Sequence, residues 1–163
     1  VQFSNVAMAE LRVLMTAVND ILEMTADAYK EKSHSMAQRI EPLEEVIDEL
    51  VDKVRRRHMW RMKHNLCEVV RGISFQNIIQ NLERISDQCS DLGVNILGLE
   101  DESINGNEHQ YLRDIHHSDD PLYNRLFAKY KAKYMGVLDS IAVDSVNGNE
   151  EEVEKQLKLD IEI

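Results

Sequence analysis

Residues 75–99 read FQNIIQNLERISDQCSDLGVNILGL, and the apolar positions in this stretch decide the fold class. Phe75, Ile78, Leu82, Ile85, Cys89, Leu92, Ile96 and Leu99 follow one another at spacings of 3, 4, 3, 4, 3, 4 and 3, the period of a helix that turns one face to a bundle. The same seam recurs upstream in Met36, Ile40, Leu43, Ile47, Leu50 and Val54, which predicts a second helix from Ser35 to Leu66. Pro42 interrupts it and should either kink the helix or mark where its regular part begins. Leu11, Leu14, Val18, Ile21 and Ala28 place a first helix from Phe3 to about Lys30, with Ser4 as its N-cap. Gly72 predicts the break before the third helix, and Ser74 its cap.

Asn105-Gly106-Asn107 is a turn signal, and His109 to His117 reads as a short helix or ordered loop. Asp120 and Pro121 form a cap-plus-N1 pair that opens a further helix carrying Leu122, Leu126, Phe127, Tyr130, Tyr134, Val137, Leu138 and Ile141. No stretch shows the β-branched alternation of a sheet. The chain is therefore expected to be all-α, an antiparallel three-helix bundle over residues 1–104. A linker and C-terminal helix follow over 105–145, then an acidic tail over 146–163 in which Leu157, Leu159, Ile161 and Ile163 alternate with charges.

The 163 residues carry a net charge of −11 and a pI near 5.0. That argues against nucleic acid as a partner, because phosphate neutralisation needs a basic face. The two cysteines, Cys67 and Cys89, have neither C-x-x-C spacing nor the number for a disulfide framework. No apolar run approaches the ~20 residues of a spanning helix. The start at Val1 without an initiator Met suggests a segment of a longer protein.

Two acidic pairs of the form E-x-x-x-D, Glu44/Asp48 and Glu83/Asp87, sit inside the helical patterns, with Asp91 one turn further. Four residues apart means one helix face, where like charges repel by roughly 0.2–0.5 kcal/mol per pair. Beside Leu43 and Ile47, and beside Leu82 and Ile85, these acids are expected to form outward stripes that converge if the two helices are antiparallel neighbours. Such an all-oxygen cluster suits magnesium, manganese, calcium or iron rather than structural zinc. The alternative is a metal-free scaffold or oligomerisation module. Glu41, Glu44, Glu45, Asp48, Glu49 and Asp52 would then be a solvated face near a helix N-terminus, where negative charge is favoured.

The string Leu82-Glu83-Arg84-Ile85-Ser86-Asp87 closely resembles the helix signature of the PhoU family. The spacing of His58, Arg61, Cys67, Gly72 and Phe75, and Asp119-Asp120-Pro121 through Tyr134, resemble the PhoU-like cytoplasmic domain at the C-terminus of bacterial sodium/phosphate cotransporters. That resemblance implies a phosphate-linked regulatory or interaction domain, not an enzyme, on the cytoplasmic side of an inner-membrane protein, with the transporter's transmembrane part as partner. It also implies divalent or trivalent metal ions held by Glu44, Asp48, Glu83 and Asp87. Ser86 stands where the family usually has Gly, and Gln88 where His is frequent, while Asp91 adds a possible ligand. Only one of the family's two three-helix repeats is present, which predicts a homodimer through the apolar surface left uncovered.

A diiron carboxylate enzyme is a weaker alternative. It needs two buried E-x-x-H motifs, and only Glu31-x-x-His34 matches, at a predicted helix end. Residues 53–63 hold six of the nineteen basic residues. They could contact a membrane surface with Trp60 as anchor, or simply pair with acids on neighbouring helices. Gly93 and Gly98 are expected to permit close helix approach.

Overall fold

The computed structural model describes residues 3–142, which form six α-helices and no strand. These are α1 (Asn5–Glu31), α2 (His34–Ala37), α3 (Ile40–Lys63), α4 (Val69–Gly98), α5 (Glu108–His116) and α6 (Pro121–Ser140). The all-α expectation holds. The acidic tail from residue 146 lies outside the described residues.

Long-range ion pairs fix the helix directions. Arg57 near the end of α3 reaches Glu10 near the start of α1 at 2.6 Å, so the two run antiparallel. Arg55 meets Glu83 at 2.9 Å while Glu41 meets Ser90, so α3 and α4 are antiparallel too. Lys131 bonds Glu49 at 2.7 Å and Lys53 bonds Asp139, which makes α6 parallel to α3. Thus α1, α3 and α4 form a three-helix bundle, and α6 packs back on α3 and α1.

The bundle interior is Leu14, Ile21, Leu43, Ile47, Leu50, Phe75 and Ile79, all fully buried. Each such side chain contributes about 1.5–3 kcal/mol relative to exposure. From α6, Tyr134 and Leu138 join this core. Tyr134 donates its hydroxyl to Asp20, which Lys133 also holds at 3.2 Å. Burial and the Asp20 contact push that phenol's pKa up, so it remains a donor.

Ser4 caps α1 by accepting from the Ala7 N–H, and Asp120 caps α6 by accepting from Tyr123 with Pro121 at the first helical position, both as the sequence predicts. Three details differ. The predicted second helix is two helices: Ser33 caps the four-residue α2, and the regular part starts at Ile40. Pro42, third in α3, lies in the first turn, where its missing N–H would have no intrahelical partner anyway.

Next, α4 begins at Val69, ahead of Gly72, and Ser74 bonds back to the Val70 carbonyl instead of capping. Gly72 is the point at which α4 passes His58 and Met62: a Cβ there would lie 2.9 Å from Met62 Sδ and 3.1 Å from His58 Nε2.

Lastly, the α4 seam is rotated from the 3-4 spacing. Ile85, Leu92 and Leu99 are exposed, whereas Ile79, Ser86, Ser90, Gly93, Val94 and Leu97 are buried. A straight helix at 3.6 residues per turn drifts off a 3.5-residue repeat by about 20° per heptad. The small residues Ser86, Ser90 and Gly93 let α3 approach instead.

Candidate metal centre

Because α3 starts only at Ile40, with Glu44 and Asp48 one and two turns further on, Glu41 falls in its first turn. Unpaired N–H groups and the helix dipole favour negative charge there. From this helix Glu44 and Asp48, and from α4 Asp87, bring one carboxylate oxygen each within 4.8 Å of one another. The antiparallel pairing of α3 and α4 creates this meeting, since Asp87 is 39 or more positions from the other two in sequence. Glu83 sits at the edge with its carboxylate on Arg55 at 2.9 Å, and Asp91 is exposed one turn further along α4. Neither belongs to the converging trio.

The trio does not form the outward stripe that the heptad positions suggest. Glu44 is only 8 % exposed and Asp48 is half-buried, while Asp87 is exposed. The rotated face of α4, which turns Ser86 and Ser90 toward the bundle, accounts for this. His116, from the end of α5, binds Glu41 and lies 3.7 Å from Glu45, and its ring faces Tyr123 of α6 at 6.0 Å between centroids.

Glu41 is itself buried and accepts a hydrogen bond from Ser90. The sequence offered Glu41 only as part of a solvated acidic face and connected it with neither Ser90 nor His116. The three residues come from three helices and share no local pattern. The only available signal was the cap-plus-Pro at Asp120-Pro121, which fixes where α6 starts and so where His116 ends up.

Crowding the carboxylates has an electrostatic consequence. Burial, then Glu41, Asp48, Glu45 and Asp87, push the Glu44 pKa from 4.5 up to about 9. Burial, then Asp87 and Glu83, push Asp48 from 3.8 up to about 7. Asp87 is raised as well, by burial and by Glu83 and Asp91. Asp48 Oδ1 is buried with no hydrogen-bond partner, a costly state for an acceptor.

The site therefore offers oxygen ligands only, an excess of negative charge and one orphaned buried acceptor. That combination fits a hard or borderline cation completed by water.

The surroundings dispose of much of the basic segment. Arg57 and Arg61 converge on the fully buried Glu10, Arg61 in a two-bond fork at 2.8 and 2.6 Å. Arg55 takes Glu83, Arg56 takes Asp52 and Lys53 takes Asp139. Pairing with acids, mostly on neighbouring helices, is what these cations do. No helix among the described residues is long and apolar enough to cross a membrane.

The PhoU domain family model matches residues 11–96, a span that contains α2, α3, all of the carboxylate trio and most of α1 and α4. Comparison with curated proteins and with solved structures returns no match. With a match over more than half of its length, this chain belongs to the PhoU family, helical regulatory domains of phosphate homeostasis.

Proposed function

We propose that this chain is a metal-bearing PhoU-type regulatory domain, attached on the cytoplasmic side to the membrane-embedded part of a sodium-dependent phosphate transporter. The observation that carries the metal reading is the meeting of buried Glu44, half-buried Asp48 and exposed Asp87, with an unpartnered Asp48 oxygen. A cation held there would neutralise the trio and tie α3 to α4, so that occupancy sets how firmly the two helices are joined. Asp91 and Glu83 would act from the rim, Glu83 by releasing Arg55. The transporter context is supported by the spacing of His58, Arg61, Cys67, Gly72 and Phe75. An open reading frame with membrane-spanning segments ahead of this chain would agree with it, and one without them would count against it.

A second reading has its own observation. With a pKa near 9, Glu44 carries a proton at neutral pH, and a proton can relieve the repulsion without a metal. The domain would then be a helical scaffold. Metal analysis of protein purified without chelator, together with melting curves before and after EDTA, separates the two. Bound iron, manganese, magnesium or calcium and a melting temperature lowered by EDTA are expected. A Glu44→Gln/Asp87→Asn variant should bind none and melt identically with and without EDTA. No uptake of any of these ions, with an unchanged melt, leaves the scaffold.

A further inference from the structure

The residues His58, Arg61, Cys67, Gly72 and Phe75 take no part in the carboxylate site, which lies roughly 20 Å away along α3. The fold gathers them at the other end of the bundle. All but Gly72 line a cavity of about 360 Å³ where the starts of α1 and α4 meet the end of α3, and Gly72 backs the His58 ring.

Three independent features of this cavity favour an anion. First, His58 lies on its wall, 1 % exposed, and neither ring nitrogen has a hydrogen-bond partner of ordinary geometry among the described residues. Its ring is held against Phe75 at 4.6 Å between centroids. Burial and Arg61 lower its pKa, against smaller pulls upward from the Gly72 backbone and Glu10. An imidazole whose ring nitrogens make no hydrogen bond of ordinary geometry keeps donor and acceptor capacity for a ligand.

Second, Arg57 and Arg61 share the single carboxylate of Glu10, which leaves a buried surplus of positive charge beside the cavity.

Third, two long helices, α1 and α4, begin there, at Ser4 and Glu68. Glu68 makes no side-chain cap, so the α4 N-terminus still presents N–H groups. The Ser4 hydroxyl accepts from Ala7 and keeps its own proton to donate. The opposing negative pole of α3 is already satisfied: the Leu66 N–H bonds the Arg61 carbonyl at 2.9 Å, and Asn65 bonds Met62 at 3.1 Å.

We propose that this cavity binds a tetrahedral phosphate-type oxyanion, with His58 and Arg71 as direct ligands and Ser4 and Asn65 completing the cradle. Arg61 stays on Glu10 and supplies field rather than a bond. Arg71, 3.0 Å from Glu68 at the mouth, turns its guanidinium inward when the anion enters. The exposed Glu68 carboxylate then stays in solvent. Such an anion comes either from solution or from a phospholipid headgroup, and Met59, Trp60, Leu66, Val69 and Val70 are exposed around the same end of the bundle. Anion binding at this end does not depend on metal at the carboxylates.

The test uses the whole chain after EDTA treatment, so that no metal can recruit phosphate. One arm titrates inorganic phosphate at constant ionic strength by calorimetry while the His58 ring is followed by NMR. The other measures co-sedimentation with phosphatidylglycerol vesicles against phosphatidylcholine vesicles. One saturable phosphate site is expected, with the His58 signals moving toward the protonated ring. Arg71→Gln, a change at the exposed mouth that leaves the core intact, and His58→Gln should each weaken binding about tenfold or more, the worth of one charge-assisted bond. Arg113→Gln on α5 should not. Binding only to phosphatidylglycerol vesicles with the same sensitivity to these variants identifies the lipid headgroup as the source. No binding of either probe, or binding that Arg71→Gln and Arg113→Gln alter equally, overturns the proposal.

Discussion

Glu44 stands one position from the core residue Leu43, yet it is buried, and its environment gives it a folded-state pKa near 9 against 4.5 when unfolded. Between those values the folded chain holds a proton that the unfolded chain has released. Stability from this group is therefore complete below about pH 4.5 and is lost as pH rises through 9. Asp48 adds the same trend between 3.8 and about 7. A tenfold difference in proton affinity between the folded and unfolded chain is worth ~1.4 kcal/mol, but the two groups titrate together as a coupled set, so a total of about a few kcal/mol is expected. The EDTA-treated protein should melt at a falling temperature from about pH 5 to pH 9, Glu44→Gln should flatten the profile, and manganese at about pH 8 should restore the melt. A melting temperature that climbs over that range would show that the burial of Glu44 is not felt.

At the level of elements, the contact between α4 and the start of α3 depends on small side chains. A Cβ added at Gly93 would lie 3.0–3.2 Å from three atoms of Ile40, and Ile40 is itself 1 % exposed and cannot swing away. Gly93→Ala should gain helix propensity yet lose more to overpacking, for a net destabilisation of about 1–3 kcal/mol in urea unfolding. An unchanged midpoint would mean that the two helices separate easily. Gly98 differs, since nothing lies closer than 3.5 Å to its added Cβ. The sequence expectation of close approach thus applies to the first glycine and scarcely to the second.

On the scale of the whole molecule, the three-helix bundle has three grooves with different fates. The groove between α1 and α3 is covered by α6, and that between α3 and α4 carries the carboxylates. The groove between α1 and α4 exposes Met15 at 49 %, Leu22 at 44 %, Ile85 at 37 % and Leu92 at 47 %. Apolar side chains exposed along one groove, here interspersed with Asn81, Arg84 and Gln88, favour an interface, and two copies meeting about a twofold axis would cover them. Asp87 borders the groove, so the carboxylate site would lie at the margin of such a contact rather than inside it. Light scattering should show a dimer, and Leu22→Glu combined with Ile85→Glu should yield a folded monomer. A wild-type monomer at high micromolar concentration would rule this assembly out.

The all-α architecture, the caps Ser4 and Asp120, and the four residues at the heart of α3, Leu43, Ile47, Leu50 and Val54, were legible from the chain alone. Helical periodicity and N-capping are local, set by residues within one or two turns of each other. The acidic pairs were legible as pairs for the same reason. Which of them meet was not, because that depends on the rotation of α4 about its own axis. The rotation follows from how Ser86, Ser90 and Gly93 let Ile40 and its neighbours approach, and it exposes Ile85 and Leu92 despite their seam spacing. Burial of Glu44, attachment of His116 to Glu41 and the gathering of His58, Arg61 and Arg71 at one cavity all depend on side chains far apart in sequence. Only the packed helices bring them together, and the electrostatics follows from that packing because desolvation and Coulomb interactions act through space and not along the chain.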